Sequence, residues 1–526
     1  MSDDTVDVVV AGAGHNGLIV AAYLAKAGLR VLVVEARPTV GGDTSTEELV
    51  LPGFLHDTCS TAHNLLQSNP LLRDDELRLS EYGLEYLKPD PVVHMPFPDG
   101  TSITQWLDAE RTIEGFARFS RRDADALRSL LADYDAVKGA FSAARATPIG
   151  WGPTLPERLA AGPDGRRWVR RLAESAWDVI RDGFEDEHTR AFLLGMAFMT
   201  VQPPDRPGTG PLVSALLYGR QQQSWTLPRG GSGALPTALT RVIEEHGGRI
   251  VVGEPVAALT VEDRRCVGVE TERGTRYRGT RAVVSSIHVR HLIGMAPRAA
   301  WDPDFVEAVE RWQGGPAMFV THLATTEAPR FATEEGDLEP VATMIVTSVD
   351  RMLRVGGDYV RGVVSTEDPI VLSICPTVED PSRAPAGGHT VNVVGFQPYD
   401  LPEGPERWDA IEDEVSEAHL AQLRRYAPNL TDEVILGSLV RSPLGLERFN
   451  AHNFRGSCHG GDQGPAQSGE LRPAPGWAEH RLPIEGLYQT GSTTHPGASV
   501  SGGPGRNATL VVLRDLGIDF GEVIRG

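Results

Sequence analysis

Lysine is almost missing from this chain. Only Lys26, Lys88 and Lys138 occur, so 47 of the 50 basic residues are arginine. Positive charge is short as a whole: 71 acids against 50 bases leave a formal charge of −21. That balance excludes a nucleic-acid binder, which needs a basic stripe to neutralise phosphates. Cysteine is also scarce. Cys59, Cys266, Cys375 and Cys458 are widely separated, with no C-x-x-C pair and no metal-ligand spacing. They read as reduced thiols of a cytoplasmic protein, without a redox dithiol and without a metal site. No apolar run reaches the ~18 residues of a membrane span, and Met1–Thr5 leaves no room for a secretory leader. Peripheral membrane contact through an apolar patch stays open.

What is present is the composition of an ordinary globular chain, 40% hydrophobic and 23% charged, over 526 residues. Val6–Ala11 is a β-branched run suited to a strand buried on both faces. Asn16–Ala27 reads as a helix closed by Gly28, and Arg30–Glu35 as a second buried strand. Two helical blocks follow, over about 107–145 and 166–199, where apolar residues recur at three- and four-residue spacing. The Pro/Gly-rich stretch Gln202–Gly210 is a loop. Ser232–His246 reads as a helix, Arg249–Ser286 as short strands, Ala317–Gln397 as mainly strand and Trp408–Tyr426 as a helix. A Gly/Pro-rich loop covers 456–476.

Gly12-Ala13-Gly14-His15-Asn16-Gly17 is a G-x-G-x-x-G directly after a strand and opening a helix, the context that makes the pattern specific. Gly12 permits the turn, Gly14 lets a pyrophosphate approach, and Gly17 lets the helix pack. The helix N-terminus supplies free N–H donors. Glu35 ends the second strand at the spacing expected of an acid on the adenosine ribose. After it, Ala36 and Arg37 lead to a glycine pair, Gly41-Gly42, which allows a second crossing of the pyrophosphate and favours FAD over a nicotinamide. Near the other end, the strand Leu487–Gln489 runs into Gly491, and Gly502–Ala508 opens a last helix. That is a second anion-ready turn.

With these residues in place the chain resembles the phytoene-desaturase-like FAD oxidoreductases. The resemblance runs through residues 11–42, 227–239, 380–393 and 487–508. It looks closest to the branch called pyridine nucleotide-disulfide oxidoreductase domain-containing protein 2, whose disulfide label the cysteines do not support. It implies an α/β fold: a Rossmann-like FAD-binding domain of the amine oxidase/phytoene desaturase type, interleaved with an α+β substrate-binding domain. The expected division is 1–75, 225–300 and 480–526 for FAD, and 76–224 with 301–479 for substrate, with a helical lid over about 105–200. Carried over by position, Asp43 and Thr44 join the glycine pair, and Val256 passes the adenine. Gly491 and Ser492 meet the ribityl phosphate and Val500 the ring edge, Ser499 is a further cofactor-binding position, and the Pro228–Gly231 turn lies beside the ring. Relatives often carry glycine where Ala498 and Ser499 stand, and alanine or arginine where Asp43 stands.

The flavin would accept a hydride from a substrate carbon. Asp43, His63, Trp225 and His495 are the candidates for handling the proton or the substrate. No second dinucleotide motif exists, so electrons leave to oxygen or a quinone. The expected reaction is dehydrogenation of an apolar molecule, such as a polyene or terpenoid. Oxidation of a small alcohol or amine, a redox-neutral isomerisation, and a non-catalytic prenyl-escort role are the alternatives. Amine oxidases of this fold place a lysine near the flavin, and no lysine follows Lys138.

Overall fold

A computed structural model describes residues 4–497 and 499–525. Ala498 lies outside the described residues, as do Met1–Asp3, part of the segment Met1–Thr5.

The β-branched run forms the strand Asp4–Ala11, with Val8, Val9 and Val10 fully buried. It lies mid-sheet. It pairs in parallel with Val31–Val34 on one side and with Arg276–Ser285 on the other. The strands Arg249–Val251 and Leu487–Gln489 extend this parallel array at its two sides. An antiparallel hairpin, Val256–Glu262 and Arg265–Thr271, pairs with the first residues of Arg276–Ser285. The helices His15–Lys26, Ala234–Glu245 and Gly503–Asp515 bury Leu18, Leu239 and Val512 against one face. Against the other face pack Trp301, Phe305 and Val309, with the rings of Trp301 and Phe305 stacked at 5.6 Å.

Because the five strands are parallel, Ala11, Val34, Val251, Ser285 and Gln489 all end at one edge. The loops that leave those ends converge there, as ligand-bearing loops do in sheets of this kind.

A second seven-stranded sheet is built from Ile435–Arg441, Ala317–Thr325, His389–Gln397, Val371–Ile374, Ala342–Ile345, Val93–Pro96 and Ser102–Gln105, in that order. All its pairings are antiparallel except Ala342–Ile345 with Val93–Pro96. All nine residues of Ala317–Thr325 are buried, because helix Trp408–Arg424 covers one face and the helical block the other.

The helical block begins with Ala109–Ala117 and Arg121–Arg145 and continues to Gln223 rather than ending near 200. The second helical block, expected over about 166–199, consists of three helices, Gly165–Arg171, Ala176–Gly183 and Glu187–Phe198. The capping side chains explain the breaks. Ser175 Oγ accepts from the Asp178 N–H, and Asp186 accepts from the His188 N–H at 2.8 Å. A helix, Val349–Arg361, also interrupts the segment expected to be mainly strand, capped by Ser348 and closed by Gly362 in the left-handed region.

Candidate functional site

One cavity of about 1180 Å³ occupies the edge where the parallel strands end, and it extends under the second sheet. It exceeds the 300–1,000 Å³ of usual small-molecule sites. The wall nearest those strand ends carries Gly12, Gly14, His15, Asn16, Glu35, Ala36, Arg37, Gly41, Gly42, Asp43, Thr44, Val256, Gly491, Ser492, Ser499 and Val500. These residues come from four separate segments of the chain, 12–16, 35–44, 256 and 491–500, and the sheet topology brings them together.

The three glycines of the first turn differ in what requires them. Gly12 has φ +97°, and a Cβ on it would meet Ser286 Oγ at 2.3 Å. A Cβ on Gly17 would meet the Gly12 carbonyl oxygen at 2.2 Å. Those two are demanded by the protein itself. Gly14 is not, because nothing lies within 4 Å of where its Cβ would be. That open space faces the cavity at the N-terminus of His15–Lys26, which has no side-chain cap. A phosphate group fits such a place, since free N–H groups and the positive helix end point at it.

Ala13 and Gly17 lie behind the wall. The Ala13 N–H donates to Glu35 Oε2 at 2.6 Å, and the Arg37 N–H donates to Glu35 Oε1 at 2.8 Å. Two backbone donors thus fix the carboxylate at the cavity edge. Arg37 pairs with Glu47 at 2.6 Å and stacks over Phe449, whose ring also carries Arg441 at 3.6 Å. Asp43 Oδ1 accepts from Asn450 Nδ2 at 2.8 Å and from Asn453 Nδ2 at 3.1 Å. Burial raises its carboxyl above the ordinary carboxylate value. Oδ2 takes no bond from either asparagine.

Of the other candidates, Trp225 lines the cavity. His63 and His495 do not. His63 is fully buried between Tyr86 and Ser232, bonded at 3.1 and 3.0 Å, and burial pushes its pKa down to about 3. His495 bonds the Ala144 carbonyl at 3.0 Å. The Pro228–Gly231 turn also lies outside the cavity wall. The Gly230 N–H donates to Asp380 Oδ2 at 2.6 Å, and Gly231 packs on Thr46 and Asp57.

Several wall residues escaped the sequence. His288, His291, His452 and His459 line the cavity, beside the His15 of the first glycine turn. Burial pushes His15, His452 and His459 down to about 4, so these rings are neutral at physiological pH. His452 Nε2 and Ser492 Oγ are 2.5 Å apart, joining the Asn450–Asn453 loop to the carboxyl-terminal glycine turn. Cys59 and Cys458, 399 positions apart in the chain, share this wall beside Asp43. Both thiols are free, and burial raises both pKa values, Cys458 to about 12. Among the described residues no group of three or more His, Cys, Asp or Glu side chains could hold a metal ion.

Away from the glycine turns the lining becomes apolar: Met199, Leu212, Leu216, Met318, Leu372, Ile374, Val394 and Phe396. The one lysine on the lining, Lys138, is paired with Asp135 at 2.5 Å and bonded to Tyr218 at 2.9 Å.

The family model for flavin-containing amine oxidoreductases matches residues 17–503. A limonene dehydrogenase chain of Castellaniella defragrans is 27% identical, over 98% of this chain and 95% of that protein. Pyridine nucleotide-disulfide oxidoreductase domain-containing protein 2 of Rattus norvegicus is 28% identical, over 97% and 94%. A lycopene-forming phytoene desaturase of Pseudescherichia vulneris is 25% identical, over 94% and 96%. Among solved structures, a putrescine oxidase redesigned in its cofactor binding superposes with a TM-score of 0.62 over the full length of both chains, at 16% identity.

Proposed function

The chain belongs to the flavin-containing amine oxidoreductase family, and from that premise we propose that it dehydrogenates an apolar organic molecule lying against the far wall of the cavity. It is an FAD-dependent oxidoreductase. FAD, when bound, supplies the acceptor for a hydride from a substrate carbon.

The residues of the chain divide the remaining work. Gly12, Gly14 and the N-terminus of His15–Lys26 hold the pyrophosphate, Glu35 the ribose and Val256 the adenine. Gly41 to Thr44 line the second crossing, and Gly491, Ser492, Ser499 and Val500 take the ribityl chain and ring edge. Asp43 Oδ2, the carboxylate oxygen that the two asparagines leave free, takes the proton released as the hydride departs. The apolar wall of Met199, Leu216, Leu372 and Phe396 excludes water and orients the substrate. Electrons leave to oxygen or a quinone. The division into a discontinuous FAD-binding part and a substrate part capped by helices belongs to this reading. So does a cytoplasmic place with peripheral membrane access; no helix among the described residues is long and apolar enough to cross a membrane.

The observation that carries the reading is one continuous cavity, with dinucleotide-type turns on one side and aliphatic side chains on the other. Limonene dehydrogenase and the carotenoid desaturases act on hydrocarbons by name, which fits that wall. Amine oxidation is second, because the only lysine on the lining is tied to Asp135 and Tyr218. Anaerobic mixing of the FAD-loaded enzyme with terpenoid and polyene substrates tests the proposal. Bleaching of the flavin absorbance is expected. Bleaching by small amines, with every apolar substrate inert, refutes it.

A further inference from the structure

Among the described residues six arginines are less than 10% exposed, and five of them have an evident electrostatic reason to be inside. Arg351, Arg383 and Arg506 pair with Asp358, Asp57 and Glu76 at 2.8, 3.0 and 2.7 Å. Arg472 donates to three backbone carbonyls, and Arg441 lies in the field of Glu47 and Asp43. Arg220 has none of this. It is 8% exposed and lines the cavity, and its one hydrogen bond is a long 3.4 Å contact to Asn64 Oδ1. A guanidinium has five N–H donors. Nε has no partner, and neither does the indole N–H of Trp225, on whose ring the guanidinium stacks at 3.7 Å. Burying an uncompensated cation is expensive, and among the described residues no acid repays it.

The position of Arg220 adds the second half of the argument. On helix Gly210–Gln223 the residues that line the cavity include Leu212, Ala215, Leu216, Gly219 and Arg220, one face at helical spacing. From Leu212 to Arg220 the helix rises about 12 Å, at ~1.5 Å per residue. The face therefore offers an apolar track that ends in a single unpaired cation held flat by Trp225.

We propose that Arg220 anchors a carboxylate on the substrate, so that the molecule oxidised is an amphipathic acid whose apolar chain lies along Leu212, Ala215 and Leu216. The inference rests on the reading of the cavity given above and narrows it. A carboxylate matches one guanidinium in charge and in its forked geometry, whereas a phosphate dianion leaves a surplus negative charge at a dry site. Folding has already stripped water from the guanidinium, so the incoming acid meets a preorganised donor. Burial, which holds the Arg220 pKa down to about 9, leaves it cationic at neutral pH.

Isothermal titration calorimetry on the FAD-loaded enzyme, with decanoate and methyl decanoate as probes, tests this. The extended chain of decanoate is about as long as the track. Wild type is expected to bind the acid at least about tenfold tighter than the ester. Arg220→Gln is expected to weaken decanoate about thirtyfold or more and the ester less than threefold. Equal affinity for acid and ester in wild type, or an acid preference that survives in Arg220→Gln, overturns the anchor and leaves the apolar-substrate reading standing. Absence of binding by either probe overturns both. If Arg220→Gln does not retain FAD, Arg220→Lys replaces it as the variant read. A loss of about fivefold or more in acid preference is then expected, and an unchanged preference refutes the proposal.

Discussion

Replacing Gly14 with alanine separates what the fold needs from what the cofactor needs. Gly14 sits at φ −65°, ψ 160°, a conformation open to any residue, and no atom lies within 4 Å of its added Cβ. The protein alone therefore has little objection to the methyl group. Alanine is a poorer N-cap than glycine, while the stiffer unfolded chain offsets about 0.4–1 kcal/mol, so the net change in stability should stay within about 1 kcal/mol. For FAD the same methyl group occupies the space through which the pyrophosphate reaches the helix N-terminus. Losing one or two charge-assisted bonds from backbone N–H groups costs about 2–4 kcal/mol, or roughly 30- to 1,000-fold in affinity. Thermal unfolding of the FAD-free protein and titration of FAD by fluorescence quenching read the two effects separately. Gly12→Ala is the contrast, since its Cβ collides with Ser286 and should lower the melting temperature outright. If Gly14→Ala binds FAD within threefold of wild type, the pyrophosphate does not cross that turn and the reasoning fails.

Three further outcomes follow from the geometry. Arg383 and Asp57 form a nearly solvent-free ion pair, and Arg383→Met should cost about 3–5 kcal/mol in urea unfolding by leaving Asp57 unpaired. Adding Asp57→Asn should recover part of that loss, and simple additivity of the two would refute the pairing argument. Asp43→Asn keeps an acceptor for Asn450 and Asn453 but removes the proton acceptor. Turnover should fall about 10²- to 10⁴-fold with FAD content unchanged, and an unaltered rate would clear Asp43 of that role. The wild-type rate should have an acid limb above the ordinary carboxylate range, because burial raises the Asp43 pKa. His56 and His322 are fully buried and held down to about 4 and about 3. Their folded-state values lie below the unfolded value of 6.5, so the stability of the neutral rings is complete above pH 6.5 and drains away as pH falls toward 4. At pH 5.5 each ring costs about 1.4 kcal/mol, and a melting temperature that stays flat from pH 7.5 to 5.5 would contradict it.

The glycine-turn side of the cavity was legible as structure because its signals are local. A strand, a glycine turn and a helix start within a dozen residues announce Gly12 to Gly17, and Glu35 follows at a spacing set by one βαβ unit. The helical spacing of Leu127, Leu130, Tyr134, Val137 and Phe141 marked helix over about 107–145, where the structure has Ala109–Ala117 and Arg121–Arg145. What stayed hidden depends on tertiary proximity. The Asn450 and Asn453 amides meet Asp43 across more than 400 residues, and nothing near either end marks the partnership. Cys59 and Cys458 look unrelated in sequence yet share a wall. His63 is one of the candidates for proton handling, but its ring is tied to Tyr86 and Ser232 and lies off the cavity wall. Arg220 is one arginine among 47, and only its missing partners single it out.

The central strand Asp4–Ala11 also sets a timetable for how the molecule is made. Its neighbour Arg276–Ser285 appears more than 260 residues later, and the strand Leu487–Gln489 that completes the array arrives some 200 residues after that. At ~5–20 residues per second, roughly 25–95 s separate the first strand from the last on the ribosome. During that interval the first strand and its apolar helix have no finished sheet to join, and such exposed edges invite mispairing. Pairings this distant in sequence also fold slowly. A polypeptide cut short before the last glycine turn lacks Gly491, Ser492, Ser499 and Val500, and with them part of the cavity wall.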